Sequence, residues 1–505
     1  MAEKFCDILI VGCELPGLIA GAFLAKRGLS VTVLNTDQDV GVQKKNIQPN
    51  LISHLDSRLF KTILGRLSIS DSELGIVNRY DTPFQVVMPK HRIDVTVQRD
   101  AFYHELKREF VHQADAIRSF YSSLDELDIS LDDEKLQSLL LPRGPFQHYK
   151  LYKYIKANHL DLTIEDWMQS LNLNQEIACF LQAQIKTLSN LHVEKPFSYL
   201  LAKLLANQNT VLFDVKGGIG QLKKIFLNKI EAYSGKVKND VKIENILIEK
   251  QRAKGVKLGG FEGLIACKYL LWNEPSAQIE PWLPKNFLSK WLIRKIQKVK
   301  PQYYRFSIQY DVDPDIIPVG MKGNVLLVQD PDKELLAENF LHLHFYYPKE
   351  AESPSPYKTL LVTYLLPVGD HTQNEEWFGN LHQRITEQLQ DLMPFSQGRI
   401  HLRFPKSDEK IESNDLLFPL EDPDFVVFKS NALQNPVYEV KAHRFQHLFP
   451  FPNRSFIRGL ILCGSEILAC LGFEGAFLLG LKTTDYVWTE FELRKKKGLK
   501  QRRIA

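Results

Sequence analysis

The apolar positions of this 505-residue chain follow two periods, and the switches between them mark its elements. DILIV (7–11) is a short apolar run stopped at once by glycine. LPGLIAGAFLAKRGL (15–29) then sets Leu15, Leu18, Ile19, Ala22, Phe23 and Ala25 at helical spacing. Pro16 falls in the first turn, where a missing N–H costs nothing, and Gly28 fits the stop. SVTVL (30–34) is rich in β-branched residues. Strand, tight turn, helix and strand in this order predict a βαβ unit, hence a parallel pair and a right-handed crossover. The far end of the chain repeats the theme, with LILCG (460–464) followed by LGFEGAFLLGLKTTDYV (471–487).

Between the two units the pattern predicts a hairpin over 84–97 and a long amphipathic helix or helix pair over 99–127. Residues 133–208 read as mostly helical, and KGGIGQLKKIFLNKIEAYSG (216–235) as a Gly-rich turn opening a helix. Residues 241–273 alternate like antiparallel strands. More strands follow over 303–367, then a helix over 375–393. PKEAESPSP and PKSDEKIESND read as exposed loops.

Composition adds bounds. The length exceeds one hydrophobic core, so two domains are expected. Hydrophobic residues are 44% and charged residues 25%, an ordinary globular balance. Formal net charge is +4, but RKKKGLKQRR (494–503) carries seven basic residues, leaving −3 for the rest (4 − 7). The body therefore does not read as a nucleic-acid surface. The basic tail is expected to be a solvated, disordered end, with contact to an anionic lipid or membrane surface, or to RNA, as the alternative. The most apolar stretch (460–481) carries Glu466 and Glu474 and does not read as a membrane span. No secretory signal is recognisable, so a cytoplasmic protein is expected. The six cysteines form no C-x-x-C pair, which predicts free, buried thiols.

The candidate chemistry lies in the first turn. A dinucleotide fingerprint has three glycines: one for the turn, one for backbone approach to a pyrophosphate, one for helix–strand packing. Here Gly12 and Gly17 hold the first and third places, and Glu14 holds the second. A carboxylate there repels phosphate by about 4 kcal/mol at 4 Å and an effective dielectric near 20. The second strand ends in Asn35, not in the acid that would bond a ribose, although Asp37 follows. His342 and His344 share one face of a strand, with no further ligands at metal spacing, and read as structural.

Four segments together resemble the phytoene desaturase and flavin-containing amine oxidase superfamily: the N-terminal βαβ unit, LFDVKGGIGQLKKIFLNKI, the strands ending in GVKLGGFEGLIACKYLLWN, and GLILCGSEILACLGFEGAFLLGLKTTDYV. The resemblance implies an α/β fold: a Rossmann-like FAD-binding domain built from separated segments (1–80, 197–300 and 425–490), with an inserted α+β substrate domain (81–196 and 301–424) and a basic tail (491–505). It implies a cofactor site at Gly12, Glu14, Gly17, Asn35, Gly217, Gly218, Gly464, Ser465, Gly475 and Ala476. Lys216 and Gly220 would flank the middle turn, and the helix start at Gly472–Ala476 would face the flavin ring. Ser465 replaces the family's acid, and DVGVQKKN replaces its Gly-Gly-Arg, with Lys44 or Lys45 as possible substitutes for the arginine. The departures at Glu14 and Asn35 predict weakened FAD affinity.

The implied activity is an FAD-dependent oxidoreductase that takes hydride from an apolar or amine-bearing small molecule. Phe84, Val86, Phe345, Tyr347 and Leu366 are expected to line its apolar cavity. No catalytic side chain and no metal ligand declares itself. The alternative is a non-catalytic binding protein on the same fold, of the GDP-dissociation-inhibitor kind, with FAD binding weakened or lost.

Overall fold

The computed structural model describes residues 4–35, 51–131, 140–141, 145–189, 191–192, 198–206, 211–259, 263–284, 299–346, 357–368, 375–404, 437–440 and 453–504. Strand β1 (Lys4–Val11) is central to a seven-stranded sheet, flanked by β2 (Val31–Leu34) and β12 (Leu264–Trp272), both parallel to it. β9 (Lys236–Lys238) extends the sheet beyond β2. β11 (Arg252–Leu258) and β10 (Ile243–Glu249) run antiparallel on the other side, and β19 (Leu460–Leu462) pairs parallel with β12. The two ends of the chain thus share one sheet, as their matching strand–glycine–helix patterns predict.

Continuous apolar runs form this sheet because it is covered on both faces. Ile8 to Val11 and Val31 to Leu34 are buried throughout. The Leu15–Lys26 helix is buried on all sides from Leu15 to Ala25. It packs against the Gly218–Ala232 helix and the C-terminal Gly472–Ile504 helix. The alternating segment 241–273 forms three mutually antiparallel strands, β10, β11 and β12, and β12 then pairs parallel with β1.

A three-stranded antiparallel sheet joins β3 (Leu51–Ser53), β8 (Leu212–Val215) and β4 (Ile76–Tyr80). A nine-stranded sheet begins with the hairpin β5 (Phe84–Met88) and β6 (His91–Val95), then runs through β14 (Asn324–Val328), β15 (Ala337–Tyr346), β16 (Lys358–Pro367) and β13 (Val299–Val312). β17 (Ile400–Phe404) and β18 (Val437–Val440) pair with β13, and β7 (Leu191–His192) pairs with β18. One face packs on the Glu375–Leu392 helix through Val325, Leu343, Val362 and Ile308. The other joins the core of the helices between Arg99 and Leu205.

Two expectations need correction. The cavity-lining set splits: Phe84 and Val86 lie in one core and Phe345 and Leu366 in the other. Side chains alternate across a strand, and parity between distant strands is fixed only by their register. Tyr347 lies outside the described residues. The basic tail is not a disordered end either; the helix begun at Gly472 runs to Ile504. Lys, Arg, Gln and Leu are good helix formers, and cations suit a helix C-terminus. Among the described residues, no helix is long and apolar enough to cross a membrane.

Candidate functional site: a nucleotide turn closed by its own side chains

The ends of β1, β12 and β19 bring Gly12, Asn273 and Gly464 side by side. Gly12 takes φ +92°, a left-handed value that a side chain resists, and its N–H donates to Leu34 O at 2.9 Å. Asn273, the residue after β12, is fully buried. Its Nδ2 donates to Gly12 O at 3.2 Å and to Glu14 O at 2.7 Å, and its Oδ1 accepts from Gly17 N at 2.8 Å. The Gly17 N–H is one of the orphan donors of a helix start, the groups that attract an anion. Here a carboxamide has taken it.

The next residue continues the closure. A methyl group on Gly12 would collide with Glu274 Oε1 and lie 2.7 Å from Asn273 O. A methyl on Gly464 would collide with Glu466 Oε2 and lie 2.7 Å from Glu274 O. Glu466 is buried; Ser276 N donates to its Oε1 at 2.7 Å, and its Oε2 has no hydrogen-bond partner. Burial raises its pKa above the usual carboxylate range, and Glu14 raises it further.

Glu14 itself is neither bare nor turned to solvent. Its Oε1 pairs with Lys223 Nζ at 3.0 Å, and both side chains are largely buried. The repulsion read from sequence is therefore partly cancelled by Lys223. Glu274 and Glu466 place two further carboxyl groups against Gly12 and Gly464.

At the end of β2, Asn35 is buried and tied to the loop after β9. Its N–H donates to Lys238 O at 2.8 Å, its carbonyl accepts from Val241 N at 3.1 Å, and its Nδ2 donates to Asn239 Oδ1 at 3.2 Å. Asp37 and the segment DVGVQKKN lie outside the described residues.

The two remaining glycine turns serve packing. Gly217, φ +79°, precedes the Gly218–Ala232 helix, and Lys216 N donates to Gly75 O at 2.9 Å. Ser465 opens a short 3-10 helix, Ser465–Leu471. Gly475 is required by that turn, because a methyl there would collide with Leu468 O. Half-buried Ala476 packs into the core around the Leu15–Lys26 helix. Beside them Glu474 pairs with Lys203 at 3.1 Å, and Lys203 lies 3.3 Å from Asp128, with all three side chains buried. His54 Nε2 is 3.1 Å from Lys203 O. Burial opposes ionisation of Glu474, but the Lys203 charge, His54 and the Lys203 hydrogen bond outweigh it and hold its pKa below the usual range. The helix start expected to face a flavin ring thus already holds a carboxylate with its own counter-ion.

The structure therefore brings Gly12, Glu14, Gly17 and Gly464 together, with Asn35 at the neighbouring strand end, while Gly217–Gly218 and Gly475–Ala476 open two separate helices. Sequence reasoning missed Asn273, Glu274, Lys223 and Lys203. The available signal was WNEP (272–275), a polar pair directly after an apolar strand whose last residue, Trp272, is level with Val11. His342 and His344 are both held neutral by burial, at about 3 and about 4. Among the described residues no group of three or more His, Cys, Asp or Glu is placed to hold a metal. Cys6, Cys13, Cys179, Cys267 and Cys463 are free and buried, as expected.

An FAD pyrophosphate carries two negative charges to the Gly12 turn and needs the room and donors around it. Here the Gly17 donor is taken, carboxyl groups of Glu274 and Glu466 stand against Gly12 and Gly464, and Asn35 is tied to Asn239. The residues present do not fit the group.

No family model matches the chain. It is 22% identical over 476 residues to prolycopene isomerase 1, chloroplastic, of an Oncidium hybrid cultivar, across 88% of this chain and 74% of that one. It is 25% identical over 442 residues to a 4,4'-diapophytoene desaturase (4,4'-diapolycopene-forming) of a Methylomonas species, across 80% and 81%. A solved putrescine oxidase triple mutant superposes with a TM-score of 0.57 at 12% identity, covering 97% of this chain and all of the other. The chain has the fold of the phytoene desaturase and flavin amine oxidase superfamily, and its relatives are oxidoreductases and isomerases of the carotenoid desaturase type.

Proposed function

We propose that this chain is a small-molecule binding protein built on the desaturase and amine oxidase fold, with the FAD site closed by its own side chains. The observation that carries the reading is the Asn273 carboxamide, which satisfies Gly12 O, Glu14 O and Gly17 N at once. Glu274 and Glu466 add carboxyl groups against Gly12 and Gly464 of the same turn region. The test is flavin released by heat from the purified full-length chain. A colourless protein that takes up no added FAD supports the reading.

The second reading is an FAD-dependent oxidoreductase acting on an apolar or amine-bearing molecule. The desaturase relatives, and the retained Gly12 and Gly17, favour it. It requires the turn to open when cofactor loads, and stoichiometric flavin would establish it. In either reading, the basic end of the C-terminal helix is a candidate for contact with an anionic lipid surface, and no nucleic-acid partner is expected.

A further inference from the structure

The Pro145–Ala157 helix reads PFQHYKLYKYIKA. Leu151 and Ile155, one turn apart, are buried and join the core shared by the helices between Arg99 and Leu205. The opposite face of such a helix is ordinarily polar. Instead Phe146, Tyr149 and Tyr152 are exposed there, at 68%, 53% and 42%. Spaced by three, they form one ridge along the helix. Lys150, Lys153 and Lys156 are also exposed, and each lies four residues beyond one of the rings, so they form the neighbouring ridge. The two ridges touch. Lys150 Nζ is 4.5 Å from the Phe146 ring centroid, and Lys153 Nζ is 5.0 Å from that of Tyr149.

Core packing accounts for Leu151 and Ile155 but not for three rings held outside the core. Single apolar residues scattered on a surface are ordinary, whereas a row of them marks an interaction surface. Charge says of what kind. The helix has three lysines and no acid, although the chain outside its basic tail is net −3 (4 − 7). Of the three lysines, only Lys156 has a carboxylate partner among the described residues, Asp161. A row of rings beside a row of lysines suits the boundary of an anionic bilayer. The rings sit at headgroup level, the lysine stems lie along them, and the ammonium groups meet lipid phosphates. Single-stranded nucleic acid also uses rings and cations, but it stacks its bases on ring faces. Here Lys150 and Lys153 already cover a face of the Phe146 and Tyr149 rings. The inner face of the helix is fixed in the core, and a helix of 13 residues is too short to span a bilayer, so it lies on the surface.

We propose that the outward face of the Pro145–Ala157 helix docks on an anionic lipid surface, with Phe146, Tyr149 and Tyr152 at headgroup level and Lys150 and Lys153 on lipid phosphates. This face shares no residue with the Gly12 turn or with the basic end of the C-terminal helix. The inference therefore stands with or without bound flavin.

The test is co-sedimentation of the full-length protein with vesicles of phosphatidylcholine alone and of phosphatidylcholine with about 30% phosphatidylglycerol. Binding to the anionic vesicles should be at least tenfold tighter. Phe146→Ser with Tyr149→Ser, and separately Lys150→Gln with Lys153→Gln, should each weaken it at least fivefold. Urea unfolding should stay as in the wild type, because all four side chains are exposed. The basic helix end can also hold vesicles, so a second readout follows the face itself. Tyr152→Cys carrying an environment-sensitive nitrobenzoxadiazole group should shift its emission to the blue on anionic vesicles. Cys6, Cys13, Cys179, Cys267 and Cys463 are buried, and wild type treated alike gives the labelling background. Equal binding to the two vesicles, binding to neither, unchanged binding of either double variant, or vesicle binding without the blue shift would overturn the proposal. Loss of single-stranded RNA binding in the same variants, with vesicle binding intact, assigns the face to nucleic acid and overturns it too.

Discussion

Asn273 Oδ1 accepts the Gly17 N–H at 2.8 Å across 256 residues of sequence. That one bond joins the end of β12 to the first turn of the helix that a dinucleotide would cap. Because the Asn273 Nδ2 also donates to Gly12 O and Glu14 O, a single side chain ties three backbone groups of the turn together. It organises the backbone groups of the turn.

Asn273→Ala should therefore destabilise the protein although it removes little apolar surface. Three buried bonds at roughly 1 kcal/mol each, with backbone groups left unpaired, give a loss of about 2 to 4 kcal/mol. Urea unfolding of wild type and variant measures it. A loss under ~0.5 kcal/mol would mean that the turn holds itself.

Glu466→Gln should stabilise the protein at neutral pH. Its folded pKa is raised, so the unfolded chain releases the proton first, and folding stability falls as pH rises above the unfolded value. The amide removes that penalty. The expected outcome is a higher Tm at pH 7 to 8 and no gain near pH 4, where both states hold the proton. A gain independent of pH would contradict the assignment.

Lys203→Met should be more damaging than its conservative volume implies. It leaves Asp128 and Glu474 buried without their cation, a loss of about 3 to 5 kcal/mol for a broken buried pair. Glu474 has a lowered pKa, so its pairing contributes stability above the unfolded value, and this is lost as pH falls through the folded one. The difference between variant and wild type should shrink below pH ~4 in thermal melts. An equal Tm at pH 7 would show that the cluster is not what holds the start of the C-terminal helix.

The sheet that holds the site was legible because its strands are buried on both faces, and VTVL or DILIV can hardly be anything else. Gly12 and Gly17 marked the turn correctly, since glycine reports backbone demands that are local. What filled the turn was not legible. Asn273, Glu274 and Glu466 reach it from other strands, and nothing in their own neighbourhoods says where their side chains end. Glu14 was read as a lone carboxylate for the same reason: Lys223 belongs to a helix some 200 residues on. The cavity set failed on parity, because Phe84 and Phe345 are placed on opposite faces by strand register alone. The tail was judged by its charge, whereas its residues are helix formers continuing a helix already begun.

The most direct test of the closed turn is an FAD titration, followed by quenching of flavin fluorescence, of the wild type and of a variant combining Asn273→Ala with Glu274→Ala. No saturable binding to the wild type is expected at high micromolar FAD, and removal of the two side chains should give a gain of at least tenfold, about 1.4 kcal/mol. Micromolar or tighter binding of FAD to the wild type, unchanged in the variant, would contradict it.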